Sequence, residues 1–208
     1  MHISFELRKK NAMNKLSMAK SEHLVDVAMY DILDALNTHP DLFTTSSCSG
    51  RIQLIAVPDV GRKDTIVMRH RWHHELNFEE LEEIINTSEI NEDAVVILQA
   101  QSPILHLGCR TMEMAMEIRN LAQGLGWKYC SLMGGNDDRW MVEILSSYRM
   151  DFALFRQGVS AIPDGDWLRF VTKESNKVFM KGQEKLSSLK QIPQLVSSTQ
   201  LKYQHKKR

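Results

Sequence analysis

The chain lacks most of the features that would sort it at a glance. No run of eighteen uncharged apolar residues occurs, so no segment is expected to span a membrane as a helix. The opening residues, MHISFELRKK, hold no apolar stretch of the kind an export signal needs, so export is not expected. Cysteine is scarce: Cys48, Cys109 and Cys130, an odd number at wide spacings, argue for reduced thiols in the cytoplasm rather than a disulfide framework. There is no phosphate-binding P-loop. The pair Gly124 and Gly126 follows a helical pattern instead of leaving a strand, so it reads as a helix C-cap, not a dinucleotide loop. No RRM, KH or zinc-finger signature is present, and no repeat at solenoid periods. Net charge is missing too, with 26 basic and 26 acidic side chains, so no overall field attracts a polyanion.

What is present is an ordinary globular balance over 208 residues, 43% hydrophobic and 25% charged, enough to bury a substantial core. The charge is segregated. Arg8, Lys9, Lys10, Lys15 and Lys20 crowd the start, Arg62, Lys63, Arg69 and Arg71 sit mid-chain, and Lys202 to Arg208 close it, while acid gathers between Glu79 and Asp93. Such segregation permits one basic face on a neutral protein, and solvated helix faces give the same pattern.

Leu24, Val25, Ala28, Ile32, Ala35 and Leu36 recur at helical spacing, predicting a helix over 21–37 that closes before His39-Pro40. Strands are expected over 43–47 and 51–57 with Ser49-Gly50 as a tight connection, then over 65–69 after a loop at 58–63. Asn77 and Glu80 resemble a capping box for a short helix. Further strands fall at 94–98 and 104–109, interrupted by Pro103, and a helix capped by Thr111 follows. Strands at 129–133 and 141–145 are joined by the turn GGNDDR, a strand at 152–154 comes next, and Asp164 or Asp166 opens a long final helix. Strands come in runs rather than alternating with helices. That predicts an α+β fold: one compact domain over 1–190 with a mixed, mostly antiparallel sheet flanked by helices, non-Rossmann, and a basic, flexible tail over 191–208.

Three stretches carry chemistry. FTTSSCSGR at 43–51 ends a strand in a glycine turn, with serine hydroxyls and the Arg51 guanidinium beside it, a set that suits a carboxylate or phosphate. Cys48 has only two residues before Arg51, where the phosphatase loop needs five. HRWHH at 70–74 invites a metal reading with His106 and Cys109 as remote partners, but adjacent His73 and His74 on a strand face opposite ways. No metal is expected there, and a single histidine acting as base or RNA contact fits better. LHLGCR at 105–110 alternates so that His106, Gly108 and Arg110 share a face, able to combine proton transfer with anion binding.

In order and spacing these pieces resemble the wybutosine-synthesising protein three family of tRNA methyltransferases, archaeal type. The likeness rests on FTTSSCSGRI, the histidine pair ending at His74, PILHLGCR, GWK at 126–128, VEI at 142–144 and DWLRFVTKESN at 166–176. It implies transfer of a methyl group from S-adenosylmethionine to a ring nitrogen of the tricyclic, wyosine-type guanosine 3′ of the anticodon in tRNA(Phe), on a fold other than the Rossmann methyltransferase. Carried over by position are Ser46, Ser47, Cys48, Ser49, Gly50, Arg51 and Arg110 as cofactor contacts and His74 and His106 as candidate bases. The chain departs from the family pattern at Gln101-Ser102, where an acidic residue is usual, at His73, at Trp127 and at Phe152-Ala153-Leu154. The acceptor base, unstacked from the anticodon loop, would rest on Trp72 or Trp127. Two other classes remain open: a non-catalytic tRNA-binding module using the basic ends, and a metal-dependent hydrolase built on HRWHH.

Overall fold

Among the described residues of the computed structural model (3–58, 66, 68–88, 94–136 and 139–196), nine strands form two antiparallel sheets. The chain divides into two compact units, each built on one sheet: Met1–Ser49, Pro103–Ser147 and Glu184–Arg208 in the first, Gly50–Ser102 and Tyr148–Gln183 in the second. The α+β class, the antiparallel pairing and the flanking helices are as the sequence predicts. The number of sheets is not. No helix among the described residues is long and apolar enough to cross a membrane.

In the first unit, β1 (Leu42–Cys48), β5 (Ile104–Cys109), β7 (Arg139–Leu145) and β6 (Tyr129–Asn136) pair in that spatial order. Their alternation places Leu42, Leu105, Leu107, Val142 and Ile144 on one face. That face packs against α2 (Tyr30–Asn37) and α4 (Met112–Gly124), through Ile32, Leu33, Leu36, Ala115, Ile118 and Ala122. Thr111 caps α4 by accepting from the Met114 amide at 3.2 Å, and Gly126 ends it with φ +90. In the second unit, β3 (Met68–Trp72), β2 (Arg51–Pro58), β4 (Ala94–Gln101), β8 (Arg149–Arg156) and β9 (Val159–Ser160) form the sheet. Ile52, Leu54, Leu98, Ala100 and Leu154 meet Leu81 of α3 (Phe78–Thr87) and Leu168, Val171 and Phe179 of α5 (Gly165–Leu186). Asp164 caps α5, accepting from the Trp167 amide at 2.8 Å.

Several expectations change. Helix 21–37 is instead α2 preceded by a 3₁₀ turn at Val27–Met29, and Leu24 is 74% exposed. A helix not foreseen, α1 (Phe5–Ser21), comes before it, capped by Ser4; it has no apolar stripe and buries only Phe5. Ser49-Gly50 does not close a hairpin: β1 pairs with β5, and β2 with β3 and β4, because Gly50 at φ +98 turns the chain from one sheet into the other. Ser102-Pro103 is the second such crossing, where proline has no N–H to continue the ladder of β4. Glu80 does not complete a capping box: Asn77 accepts from the Glu79 amide, while the Glu80 carboxylate accepts from Trp72 Nε1 at 2.7 Å. Past the expected boundary at 190, helical residues 192–196 bury Ile192 and Val196 in the first unit's core. The loop at 58–63 beyond Pro58, Thr65 and Val67 of the strand expected at 65–69, the turn residues Asp137 and Asp138, and the tail from 197 on lie outside the described residues.

Candidate active site

On the face of the first sheet away from its core, the register aligns one polar row. Ser46 of β1 lies opposite His106 of β5, His106 opposite Glu143 of β7, and Glu143 opposite Ser131 of β6. Directly opposed residues share a face, so all four side chains project together. A bulge at Thr45 sets this register: without it, Thr45 rather than Ser46 would stand across from His106. His106 Nε2 is 3.1 Å from Glu143 Oε2, both side chains about a quarter exposed, and the Ser131 hydroxyl donates to Glu143 Oε1 at 3.4 Å. With Glu143 ionised, Nε2 carries the proton and donates it, which leaves the Nδ1 lone pair as the ring's acceptor. This is an imidazole held in one tautomer by a carboxylate.

Two residues along each strand the same face continues with Cys48, Ile104, Leu145 and Tyr129. Ser47 points to the other face, opposite Leu105. The backbone N–H of Ser49 is not open to an anion: it donates to Asp26 Oδ2 at 2.7 Å, and Ser49 is 3% exposed. A carboxylate at this turn favours a positively charged neighbour. No cysteine is disulfide-bonded; burial pushes the Cys109 thiol up to about 12 and raises that of Cys130. Cys109 is buried on the core face, opposite in sense to His106, so the two do not share a metal site.

Arg110, expected as an anion contact, already has two carboxylate partners. Its guanidinium is engaged by Asp41 at 2.6 Å and Glu6 at 2.5 Å and lies 4.3 Å over the Phe5 ring. The two carboxylates raise its proton affinity, and Arg110 in turn holds the Glu6 carboxyl below its ordinary range. Gly108, also on the His106 face, is covered by the Phe43 ring. Trp127 is corrected as a stacking platform: it is fully buried, its Nε1 donating to Ser188 at 3.0 Å. In place of Trp127, the aromatic open on the His106 face is Tyr129, 61% exposed, which sequence reasoning missed. Glu143 was visible only as a charged residue alternating with buried Val142 and Ile144; Asp26 gave no signal.

In the second unit, Arg51 donates through Nε to Gln101 Oε1 at 3.0 Å, and Gln53 donates to Gln99 Oε1 at 2.7 Å on the same face. Gln101, at the position where the family usually has an acid, is thus a neutral acceptor that leaves the Arg51 charge uncompensated. No carboxylate pairs with Arg51 among the described residues. Trp72, 4% exposed and bonded to Glu80, is also corrected as a stacking surface. His73 and His74 lie past the end of β3. His73 Nδ1 is 3.0 Å from the Gly50 carbonyl oxygen, and exposed His74 places Nδ1 2.9 Å from the Glu75 carbonyl oxygen.

A methyltransferase family model matches residues 7–192, under the description Methyltransferase TYW3. The chain belongs to that family. A relative from Thermococcus sibiricus is 33% identical over 186 residues, which is 89% of this chain and 92% of its own; one from Thermococcus kodakarensis is 37% identical over 155 residues, 74% and 77%. Both carry the name tRNA(Phe) 7-((3-amino-3-carboxypropyl)-4-demethylwyosine(37)-N(4))-methyltransferase, the second with the suffix 1. The solved structure of the PH1069 protein from Pyrococcus horikoshii is similar with a TM-score of 0.82 at 31% identity, covering 91% of this chain and 96% of that one. Membership of the TYW3 family makes this chain a methyltransferase, and the reaction therefore draws on a methyl donor.

Proposed function

We propose that the chain moves a methyl group from S-adenosylmethionine to a ring nitrogen of the wyosine-type guanosine 3′ of the anticodon in tRNA(Phe), in the cytoplasm. The acceptor is the 4-demethylwyosine derivative that the relatives' names carry. The observation that supports this most is the His106–Glu143 pair at 3.1 Å, with Ser46 and Ser131 at its ends. In the step, the acceptor nitrogen forms a bond to the methyl carbon while the carbon–sulfur bond breaks. The electron pair goes to sulfur, giving a neutral thioether that needs no proton. The acceptor's N–H proton goes to Nδ1 of His106, and Glu143 stabilises the imidazolium formed.

Alignment of nitrogen, methyl and sulfur is the main task of such a site, and can supply about 7–11 kcal/mol at most. Ser46, Ser47, Cys48, Ser49, Gly50 and Arg51 follow one another in the chain, and the roles we assign them follow from chemistry. Arg51 takes the donor's carboxylate, since no carboxylate among the described residues pairs with it. Tyr129 receives the unstacked base, because base–aromatic stacking needs an exposed ring. His74 is the second candidate base, but no carboxylate among the described residues orients it.

Calorimetry with S-adenosylmethionine and single-turnover methylation of tRNA(Phe) test these roles together. His106→Ala lowers the turnover rate with little change in donor affinity, and Arg51→Ala weakens donor binding. Equal turnover by His106→Ala and the natural chain removes His106 as base. Absence of any heat with the donor leaves a non-catalytic tRNA-binding module as the reading.

A further inference from the structure

A cleft of about 500 Å³ in the first unit runs between α1 and β1. Arg8, Asn11 and Lys15 line it from α1, Thr45 and Ser46 from β1, and Arg139 from the start of β7. On a helix these three α1 positions, at i, i+3 and i+7, fall on one face. α1 leaves Leu7 and Met18 exposed, at 48% and 62%, and lines the cleft with Ala12, Leu16 and Ala19 as well as with these polar and basic groups.

Three cations elsewhere in the unit are matched by carboxylates. Lys20 pairs with Asp34, Lys190 with Asp31, and Arg110 with Asp41 and Glu6. In the cleft the cations are not. Lys15 and Arg139 have no hydrogen bond or ion pair among the described residues, Arg8 uses only Nε, to the Ile3 carbonyl, and no carboxylate lines the cleft. Three cations with no carboxylate partner among the described residues, beside two hydroxyls, suit an oxyanion. The lack of a carboxylate disfavours a zwitterionic amino-acid group, whose ammonium would have no partner. Ser46 lines the cleft and stands opposite His106, one strand spacing of roughly 4.8 Å from the strand that carries the proposed base.

We propose that this cleft binds a phosphodiester of the tRNA backbone, at or next to the nucleotide whose base reaches His106. The assignment rests on the tRNA reading above and adds the residues that hold the backbone. Phosphate contacts of this kind fix register without reading sequence.

The full chain and an unmodified tRNA(Phe) transcript, followed by fluorescence anisotropy over a salt series, test it. Each lost phosphate contact lowers the steepness of log K against log salt by about one. The double variant Lys15→Gln, Arg139→Gln therefore loses about two from that slope and binds more weakly at low salt, with unchanged heat for S-adenosylmethionine. Lys15→Arg with Arg139→Lys keeps the charges and restores the slope, which separates a lost contact from a damaged fold. An unchanged slope in the glutamine variant, with methyl transfer by the natural chain intact, overturns the cleft assignment alone. A natural chain that shows the cleft-dependent slope but transfers no methyl to tRNA(Phe) carrying the demethylated tricyclic base supports the cleft and overturns the proposed function instead.

Discussion

Gly108 stands opposite Phe43 in the register of β1 and β5, and the ring lies over it. A Cβ added at 108 would come within 2.4 Å of Phe43 Cζ and within 2.7 and 2.8 Å of the two Cε atoms. Carbon pairs settle at roughly 3.5–4.0 Å, so Gly108→Ala requires the ring to retreat by about 1 Å or more. The ring is hemmed in. Its centroid is 5.2 Å from that of buried Phe5, over which sits Arg110, itself tied to Asp41 and Glu6. Overpacking of this kind destabilises by about 1–3 kcal/mol, and a chain this size loses about 2–4 °C of melting temperature for each kcal/mol. Phe43→Ala alone costs about 3–5 kcal/mol by opening a cavity. In the double variant the new methyl enters the space the ring has left, so the two changes compensate by about 0.5–3 kcal/mol. Thermal and urea denaturation of the four proteins gives the coupling. Additivity within about 0.5 kcal/mol would refute the claim that Gly108 exists to admit the Phe43 ring.

Other expectations follow from the same geometry. Burial that holds the Cys109 thiol near 12, against an ordinary 9.0, keeps it neutral in the folded chain while the unfolded thiol ionises, so its contribution to stability is full below pH 9 and is lost as pH rises towards 12. Between pH 8 and pH 10 the natural chain should lose about 1.4 kcal/mol relative to Cys109→Ala, read from denaturation midpoints; parallel pH profiles would contradict the burial argument. Arg110→Ala should lower the melting temperature and leave donor binding as it was, since its guanidinium is committed to Asp41 and Glu6; weakened donor affinity in calorimetry would return it to the binding site. Tyr129→Ala should raise KM for tRNA with donor affinity unchanged, while Tyr129→Phe keeps the stacking face; equal KM in the alanine variant would remove the ring as a platform.

Much of the fold was legible because alternation and capping are local. β5, β7 and α4 declare themselves through Leu105 and Leu107, Val142 and Ile144, and Thr111 with Met114, Ala115 and Ile118. Partner choice is not local. Strand periodicity says which residues share a face but not which strand lies alongside, so β1 and β2 looked like a hairpin although Gly50 sends them to different sheets. α1 escaped notice because helical periodicity was sought in apolar residues, and this helix has no apolar stripe and buries only Phe5. At the site, Ser46 and His106 could be picked out as polar residues within strand patterns. Their alignment depends on the Thr45 bulge, which has no signature in the sequence. Trp72 and Trp127 misled for a plain reason: a large ring near a motif is more often core than surface, and both ring nitrogens are satisfied internally.

The most direct test is mass analysis of the nucleosides of tRNA(Phe) taken from cells that lack this chain, after incubation with purified protein and S-adenosylmethionine labelled in the methyl group. The account predicts one labelled methyl on the tricyclic base, added by the natural chain and much more slowly by His106→Ala and Glu143→Gln. Label on another nucleoside, or none at all, would contradict it.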